Sequence, residues 1–201
     1  MSLMSKKIIL LISLFIFSSC SLFPKNQEQN INLTKPTTNP MTTDTPTQTT
    51  VNTPATEAES VVALKTKNGQ IVIRLYQKEA PNTVANFLKK VNSGFYNGLT
   101  FHRVEPGFVV QGGDPLGNGT GGGKIASEIN AIPFRRGSVG LARGPVKAES
   151  NDSQFYICLA DESCSHLTNE YVNFGEVISG LDVVDKIVVG DKIIESSVDT
   201  K

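Results

Sequence analysis

The chain has 201 residues, of which 39% are hydrophobic and 19% are charged, and this length suits one medium domain with an additional segment. Its 19 basic and 19 acidic residues balance, so no basic field gathers a phosphate backbone and we expect no nucleic-acid partner. With only two His and three Cys, we also expect no multi-ligand metal site.

The N-terminal residues are typical of an export signal. Lys6 and Lys7 precede an apolar run over residues 8–17, which is interrupted only by Ser13. Ten helical residues cover about 15 Å, which is half of the hydrocarbon core, so this run is too short to span a bilayer. A basic start, a short apolar stretch and small residues before Cys20 together indicate a signal peptide.

The position of Cys20 directly after this run resembles a bacterial lipoprotein signal, in which the cysteine is lipidated and becomes the mature N-terminus. The resemblance implies a signal peptide over residues 1–19, a lipid on Cys20 and export to a bacterial membrane that the sequence does not identify. Phe17 stands three residues before the cysteine, where this class of signal usually has Leu. An ordinary signal peptide with an incidental cysteine is the alternative.

Residues 20–59 are predicted to form a flexible stalk. Residues 24–59 contain eleven Thr and five Pro, with no Gly and no aromatic residue. Such a composition cannot bury enough apolar surface to offset the entropy lost on ordering. The root-mean-square reach of this stalk is about 30–35 Å.

Residues 60–201 are predicted to form one folded domain, which holds all 17 glycines. It opens with two apolar runs, residues 61–64 and 71–75, around Asn68-Gly69. Two such runs around Asn-Gly predict a β-hairpin.

An amphipathic helix is predicted to follow this hairpin. It opens at residues 80–83 and ends at Gly94, which stands where a C-terminal cap belongs. Its apolar residues recur at i, i+3, i+4 and i+7, and they are Val84, Phe87, Leu88 and Val91.

Short β-rich runs separated by Gly-rich loops make up most of the remaining domain. They are residues 100–104, 108–111, 138–142, 155–159 and 173–177. A second short helix is predicted over residues 181–188. Many strands with two helices indicate a mainly β fold, a closed antiparallel barrel with two covering α-helices.

The candidate functional residues lie on or directly beside three of these predicted strands. Val109 and Gln111 share one face of a strand, and Gln154 and Tyr156 share a face further along the chain. Together with Arg103 they offer an apolar floor, amide groups and one cation, without a nucleophile beside a base and without a carboxylate pair. This set of side chains suits a site that binds an extended peptide and alters it without covalent chemistry.

The sequence around these residues resembles the cyclophilin family of peptidyl-prolyl cis-trans isomerases, and most of all its short bacterial branch. The matching motifs occur in the family's order, at residues 97–100, 101–114, 140–143, 153–157, 172–175 and 178–184. The resemblance spans about residues 61–195. It implies a closed eight-stranded barrel with two helices, isomerisation of X-Pro bonds in proline-containing polypeptides, and no cofactor. We expect a monomer.

The resemblance also implies roles for individual residues. Arg103 occupies the position of the catalytic arginine. The pocket for the proline ring is matched by Phe108, Val109, Tyr156 and Leu167. The groove that contacts the peptide is matched by Gln111, Gln154, Ala142 and Arg143, the last two mainly through their backbone. Tyr171 stands where many members have His, and His166 where some have Trp.

Two functions are open at this point. The leading one is a lipid-anchored isomerase that assists the folding of exported proteins. The alternative is a non-catalytic module on the cell surface that binds or holds proline-containing peptides with the same groove. Arg103 and Gln111 favour the isomerase.

Cys158 and Cys164 are the two cysteines left once Cys20 is lipidated. We expect both to be free thiols, because Cys158 lies in a predicted strand at a core position, where a buried thiol acts as a small hydrophobe. Export would also permit a disulfide between them.

Overall fold

The computed structural model of this protein describes residues 60–200. The predicted signal peptide, Cys20 and the predicted stalk lie outside the described residues. Within residues 60–200 the chain forms ten strands, three α-helices and one 3-10 turn. The strands are β1 Ser60–Thr66, β2 Gly69–Leu75, β3 Arg103–Glu105, β4 Val109–Gly112, β5 Lys124–Ala126, β6 Ser138–Leu141, β7 Glu149–Asn151, β8 Phe155–Cys158, β9 Asn173–Ser179 and β10 Glu195–Thr200. The helices are α1 Pro81–Asn92, α2 Asp161–Cys164 and α3 Leu181–Val184, and the 3-10 turn is Ser165–Leu167.

Eight of the strands form one antiparallel sheet in the order β10-β1-β2-β9-β6-β8-β4-β3, and β5 pairs with β7 separately. The sheet curls into a half-barrel but stays open, so the predicted closed barrel is wrong. Among the described residues the edge strands β3 and β10 do not pair with each other. The segments before them are joined by an isolated bridge between Thr100 and Lys192 and by backbone hydrogen bonds between residues 98–101 and 190–193. The barrel does not close because β3 has only three residues, which pair with β4, while β10 pairs with β1, so no strand ladder joins the two edges.

The predicted hairpin is confirmed as β1 and β2. Thr66 stands opposite Gly69, which leaves Lys67 and Asn68 as the two turn residues. The Thr66 hydroxyl accepts the Asn68 N–H at 3.1 Å and donates to the carbonyl of Gly69 at 3.0 Å. Gly69 has a φ of 134°, a backbone conformation that favours glycine.

The predicted amphipathic helix is confirmed as α1. Val84, Phe87 and Val91 are buried in the main core, and Leu88 packs against it. The ring of Phe87 contacts three other core aromatics, with centroids 5.1 Å from Tyr96, 5.7 Å from Phe155 and 5.1 Å from Phe174. The helix ends as predicted, because Gly94 adopts a φ of 70° and donates its N–H to the carbonyl of Val91.

The N-terminus of α1 is capped by a residue from a distant loop. No side chain of the preceding segment caps it. Instead, Oε1 of Glu128 accepts the Asn82 N–H at 3.0 Å, and Oε2 accepts the Thr83 N–H at 2.8 Å. The carboxylate therefore satisfies two of the helix's unpaired donors and places a negative charge at the positive end of the helix dipole.

The second predicted helix is shorter than expected. Residues 181–188 form α3 only over Leu181–Val184. Beyond it the N–H groups of Lys186 and Ile187 bond three residues back, to Val183 and Val184, and such tighter bonds are common where a helix ends. A further one-turn helix, α2, was not predicted.

Cys158 and Cys164 form a disulfide, with their Cα atoms 6.3 Å apart, so the expectation of two free thiols is wrong. Cys158 ends β8 and Cys164 ends α2, and both are fully buried. The unpredicted turn of α2 brings the chain back over the end of the strand, and this places the two sulfurs within bonding distance.

Candidate active site

The predicted site residues converge on one open pocket of 340 Å³ on the outer face of the sheet. Nine of the ten predicted substrate and catalytic residues line it, and His166 is the tenth lining residue. The nine are Arg103, Phe108, Val109, Gln111, Ala142, Arg143, Tyr156, Leu167 and Tyr171. Gln154 is the exception, since it is buried behind the pocket and contacts Gln111.

Strand register sets the centre of the site. Arg103 on β3 stands opposite Gln111 on β4, Gln111 stands opposite Tyr156 on β8, and Tyr156 stands opposite Gly140 on β6. Directly opposed residues on neighbouring strands project from the same face of a sheet. The fold therefore aligns a cation, an amide and an aromatic ring in one row across four strands.

Glycine is required at the end of this row. A Cβ on Gly140 would overlap the ring and hydroxyl of Tyr156 and lie 2.8 Å from the ring of Phe134. The missing side chain lets the Tyr156 ring lie flat over β6, where it stacks on Phe134 with centroids 5.8 Å apart. Phe134 was not predicted as a site residue.

A chain of hydrogen bonds runs from the rim of the pocket into the protein. Nη1 of Arg103 donates to Oε1 of Gln111 at 2.9 Å, and Nε2 of Gln111 donates to Oε1 of Gln154 at 2.9 Å. Nε2 of Gln154 then donates to the carbonyls of Gly121 at 2.8 Å and Gly119 at 3.2 Å. These bonds orient both amides, so Gln111 presents its oxygen to the arginine.

Glu105 holds the other edge of the Arg103 guanidinium. Its Oε1 accepts from Nε at 2.9 Å and from Nη2 at 2.6 Å. With the bond to Gln111, three of the five N–H donors of the guanidinium are used. The two others, one on each terminal nitrogen, are left for a bound ligand.

The loop behind Gln154 is organised by Asp114, which the sequence reasoning missed. This buried carboxylate accepts the N–H groups of Leu116 and Asn118 at 2.9 Å each and that of Gly119. Burial alone would raise the pKa of Asp114, but these N–H donors outweigh it and hold the pKa below its ordinary value. Asp114 thereby keeps in place the loop whose carbonyls orient Gln154.

The floor of the pocket is a small apolar cluster, separate from the main core, which we call the pocket cluster. Its members are Val109, Phe134, Tyr156, Cys158, Cys164 and Leu167. The Tyr156 hydroxyl is buried within it and has no hydrogen-bond partner among residues 60–200. Burial raises the pKa of Tyr156, so the hydroxyl stays neutral.

Arg143 and Tyr171 form part of the pocket wall. The Arg143 guanidinium lies 4.5 Å from the centroid of the Tyr171 ring, and its Nε donates to the carbonyl of Glu170 at 3.0 Å. Only 13% of the Arg143 side chain is exposed. This side chain is therefore part of the wall rather than a free surface cation.

Two further wall residues are held by their neighbours. His166 stacks on the Phe108 ring, with centroids 5.8 Å apart and planes 25° apart. The backbone N–H of Ala142 donates to Gln154 at 3.0 Å, and its carbonyl accepts from Asn151 at 2.8 Å. These contacts give the pocket a preformed shape.

The site has the character of a binding groove with one cation at its rim. In the part of the chain that the structure describes, no three His, Cys, Asp or Glu side chains come together as ligands for a metal ion. No helix among residues 60–200 is both long and apolar enough to cross a membrane.

Comparison with known proteins identifies the class to which this half-barrel and its pocket belong. Residues 61–199 match the family described as cyclophilin type peptidyl-prolyl cis-trans isomerase/CLD. The chain is 45% identical over 141 residues to the peptidyl-prolyl cis-trans isomerase of Helicobacter pylori strain 26695, which covers 67% of this chain and 83% of the relative. It is 42% identical over 132 residues to peptidyl-prolyl cis-trans isomerase B of Bacillus subtilis, and this match covers 65% of this chain and 91% of the relative.

Solved structures agree as well. The match to the crystal structure of a cyclophilin-type isomerase of Cryptosporidium parvum covers 71% of this chain and 99% of the matched chain, with 29% identity and a TM-score of 0.65. A second crystal structure of that protein, in the presence of the dipeptide Ala-Pro, has a TM-score of 0.64. The chain belongs to the cyclophilin-type peptidyl-prolyl cis-trans isomerase family, and its activity is the isomerisation of X-Pro peptide bonds.

Proposed function

We propose that Arg103 is the catalytic residue of this isomerase and that the apolar pocket holds the proline ring of the substrate. A peptide bond resists rotation by about 18–20 kcal/mol, because the nitrogen lends its lone pair to the carbonyl. Before proline the cis and trans forms differ by only about 0.5–1 kcal/mol, yet they interconvert over tens to hundreds of seconds. The task of the enzyme is therefore to lower a barrier.

The Arg103 guanidinium lowers this barrier by stabilising the twisted transition state. In the twisted transition state the lone pair is localised on the proline nitrogen, which becomes a hydrogen-bond acceptor. A donor placed there binds the twisted state better than either planar state, and such differential binding is catalysis. Arg103 suits this role because it has two unused N–H groups at the pocket rim and remains charged at any working pH.

The remaining pocket residues bind rather than react. Phe108, Val109, Tyr156 and Leu167 surround the proline ring, which stays in place while the residue before it rotates. Gln111, Ala142, Arg143 and Tyr171 form the groove on either side, and the buried Gln154 orients Gln111 from behind it. The observation that carries this assignment is the placement of the Arg103 guanidinium, which Glu105 and Gln111 hold at the rim of the apolar pocket.

We further propose that the protein is exported and anchored to a bacterial membrane by a lipid on Cys20, where it acts on exported polypeptides. The order of residues 1–20 supports this proposal. The disulfide between Cys158 and Cys164 also supports it, because disulfides persist in oxidising compartments outside the cytoplasm and are rare within it.

The catalytic assignment is tested by measuring X-Pro exchange in a proline-containing peptide by NMR, with the unmodified chain and with Arg103→Ala. We expect Arg103→Ala to lower kcat/KM by at least about 10-fold, or 1.4 kcal/mol. Arg135→Ala, which removes an arginine outside the pocket, is the matched control and should leave kcat/KM unchanged. Equal activity of the Arg103→Ala variant and the unmodified chain would refute the assignment.

A further inference from the structure

The disulfide lies directly beneath the proline pocket. Cys158 stands opposite Val109, a residue of the pocket floor, in the pairing of β8 with β4. Cys164 directly precedes the 3-10 turn that carries His166 and Leu167 into the pocket. Both cysteines belong to the pocket cluster and not to the main core.

The segment that carries Leu167 has little structure of its own. Helix α2 is a single turn of four residues without a side-chain cap at its N-terminus, and helices this short are not stable by themselves. Side-chain hydrogen bonds tie the segment to neighbouring loops, for example at Ser163, which donates to the carbonyl of Gly107, and at Thr168, which accepts the Phe134 N–H at 3.0 Å. Apart from the backbone itself, the disulfide links this segment covalently to β8.

We propose that the Cys158–Cys164 disulfide is a positioning element for catalysis, which holds the Leu167 wall against the proline ring so that the oxidised enzyme binds its substrate more tightly than the reduced enzyme. The inference rests on the proposed binding of the ring in this pocket. It assigns to two buried cysteines a function beyond stability.

Loss of the contact between Leu167 and the proline ring is expected to weaken substrate binding and not to slow rotation of the X-Pro bond. The ring occupies the pocket in the ground state and in the transition state alike, so the contact with Leu167 contributes about equally to both. Loss of an interaction of this uniform kind raises KM and leaves kcat unchanged. Loss of the Arg103 contact, which is made in the transition state, lowers kcat instead.

The test compares the two redox forms of one protein. All samples carry Cys20→Ala, so that Cys158 and Cys164 are the two remaining thiols of the chain. Reduced protein is treated with glutathione disulfide, which takes two electrons from the two thiols, forms the protein disulfide and leaves two molecules of glutathione. Mass spectrometry confirms the loss of two hydrogens. NMR exchange measurements on a proline-containing tetrapeptide then give kcat and KM for each form.

We expect the reduced form to have a KM about tenfold higher, or 1.4 kcal/mol weaker binding, with kcat within about twofold. The variant Cys158→Ala/Cys164→Ala should resemble the reduced form and should not respond to glutathione disulfide. Ile71→Val, a change in the main core away from the pocket, is the control for stability alone and should leave KM unchanged although it lowers Tm.

The outcomes separate this inference from the proposed function. An unchanged KM in Leu167→Ala would overturn the pocket assignment, and this inference with it. A raised KM in Leu167→Ala, together with equal KM values in the oxidised and reduced enzyme, would overturn only the role of the disulfide. A fall in kcat and not a rise in KM on reduction would also contradict it.

Discussion

Arg103 and Gln111 face each other across the edge of the sheet, and Nη1 of the arginine donates a hydrogen bond of 2.9 Å to Oε1 of the glutamine. The glutamine is itself oriented by Gln154, which in turn is held by the carbonyls of Gly119 and Gly121. The guanidinium of Arg103 at the pocket rim is therefore oriented from the protein interior, through residues that do not line the pocket.

Gln111→Leu tests this orientation. Leucine has a similar size but cannot accept the bond from Arg103, so the guanidinium loses one of its two supports. We expect kcat/KM to fall by about 10-fold, or 1.4 kcal/mol, in the NMR exchange assay. In an Arg103→Ala background the same substitution should lower kcat/KM much less, because the effects of substitutions within one hydrogen-bond network are not additive. An equal loss in both backgrounds would show that Gln111 acts independently of Arg103.

Tyr156→Phe is expected to stabilise the protein, because the Tyr156 hydroxyl is buried without a partner among the described residues. A buried hydroxyl that lacks a hydrogen bond costs about 1–3 kcal/mol, so its removal should raise the free energy of unfolding by about 1 kcal/mol. The ring remains, and kcat/KM should stay within about twofold. Urea unfolding measures the stability.

Tyr96→Phe is the matched control for this prediction. Tyr96 is also a buried tyrosine, but its hydroxyl donates to the carbonyl of Ser153 at 3.2 Å. Its removal leaves that acceptor unpaired and should lower the free energy of unfolding by about 1 kcal/mol. Changes of the same sign in both variants would contradict the account of the Tyr156 hydroxyl.

Glu128→Gln should destabilise the protein by about 1 kcal/mol at pH 7, because the carboxylate caps α1. Burial would raise the pKa of Glu128, but the N–H donors of Thr83 and Asn82 outweigh it and hold the pKa below its ordinary value. The stabilisation is therefore complete above the ordinary glutamate pKa of about 4.3, and it is lost as the pH falls through the lower pKa of the folded state.

Urea unfolding at several pH values measures this effect. The difference between Glu128→Gln and the unmodified protein should shrink as the solution becomes acidic. Glu79→Gln makes the same chemical change at an exposed residue just before α1 and should have little effect at any pH. A difference for Glu128→Gln that stays constant with pH would contradict the role of its charge.

Cys20→Ala should release the protein from membranes, since Cys20 is the proposed site of lipidation. Fractionation and metabolic labelling with a fatty acid measure this directly. The variant Cys158→Ala/Cys164→Ala keeps Cys20 and should remain labelled and membrane-bound. Acyl label that persists in Cys20→Ala, or membrane retention without it, would contradict the proposed anchor.

Local patterns predicted the parts of the fold that depend on neighbouring residues. The hairpin at Asn68-Gly69 and the apolar face of α1 are both confirmed, since turn geometry and helical periodicity are encoded in a few consecutive residues. The pocket residues were identified through family motifs, and register on adjoining strands brings them together.

The features that were missed depend on residues far apart in sequence. Glu128 caps a helix through Asn82, 46 residues earlier, and Phe134 reaches Tyr156 from a loop without a periodic pattern. Residues 195–200 are mostly polar, so their pattern does not indicate the strand β10. The disulfide depends on α2, a single turn that periodicity cannot detect.

The pairing of β10 with β1 joins the last strand of the domain to the first, with Val198 opposite Val62. A polypeptide that leaves the ribosome with its N-terminus first cannot form this pair until residues 195–200 have emerged. Pairings between residues so distant in sequence are slow to form, and until then β1 presents an unpaired edge that is prone to aggregation. The eight-stranded sheet is thus complete only when residues 195–200 are available to pair with β1.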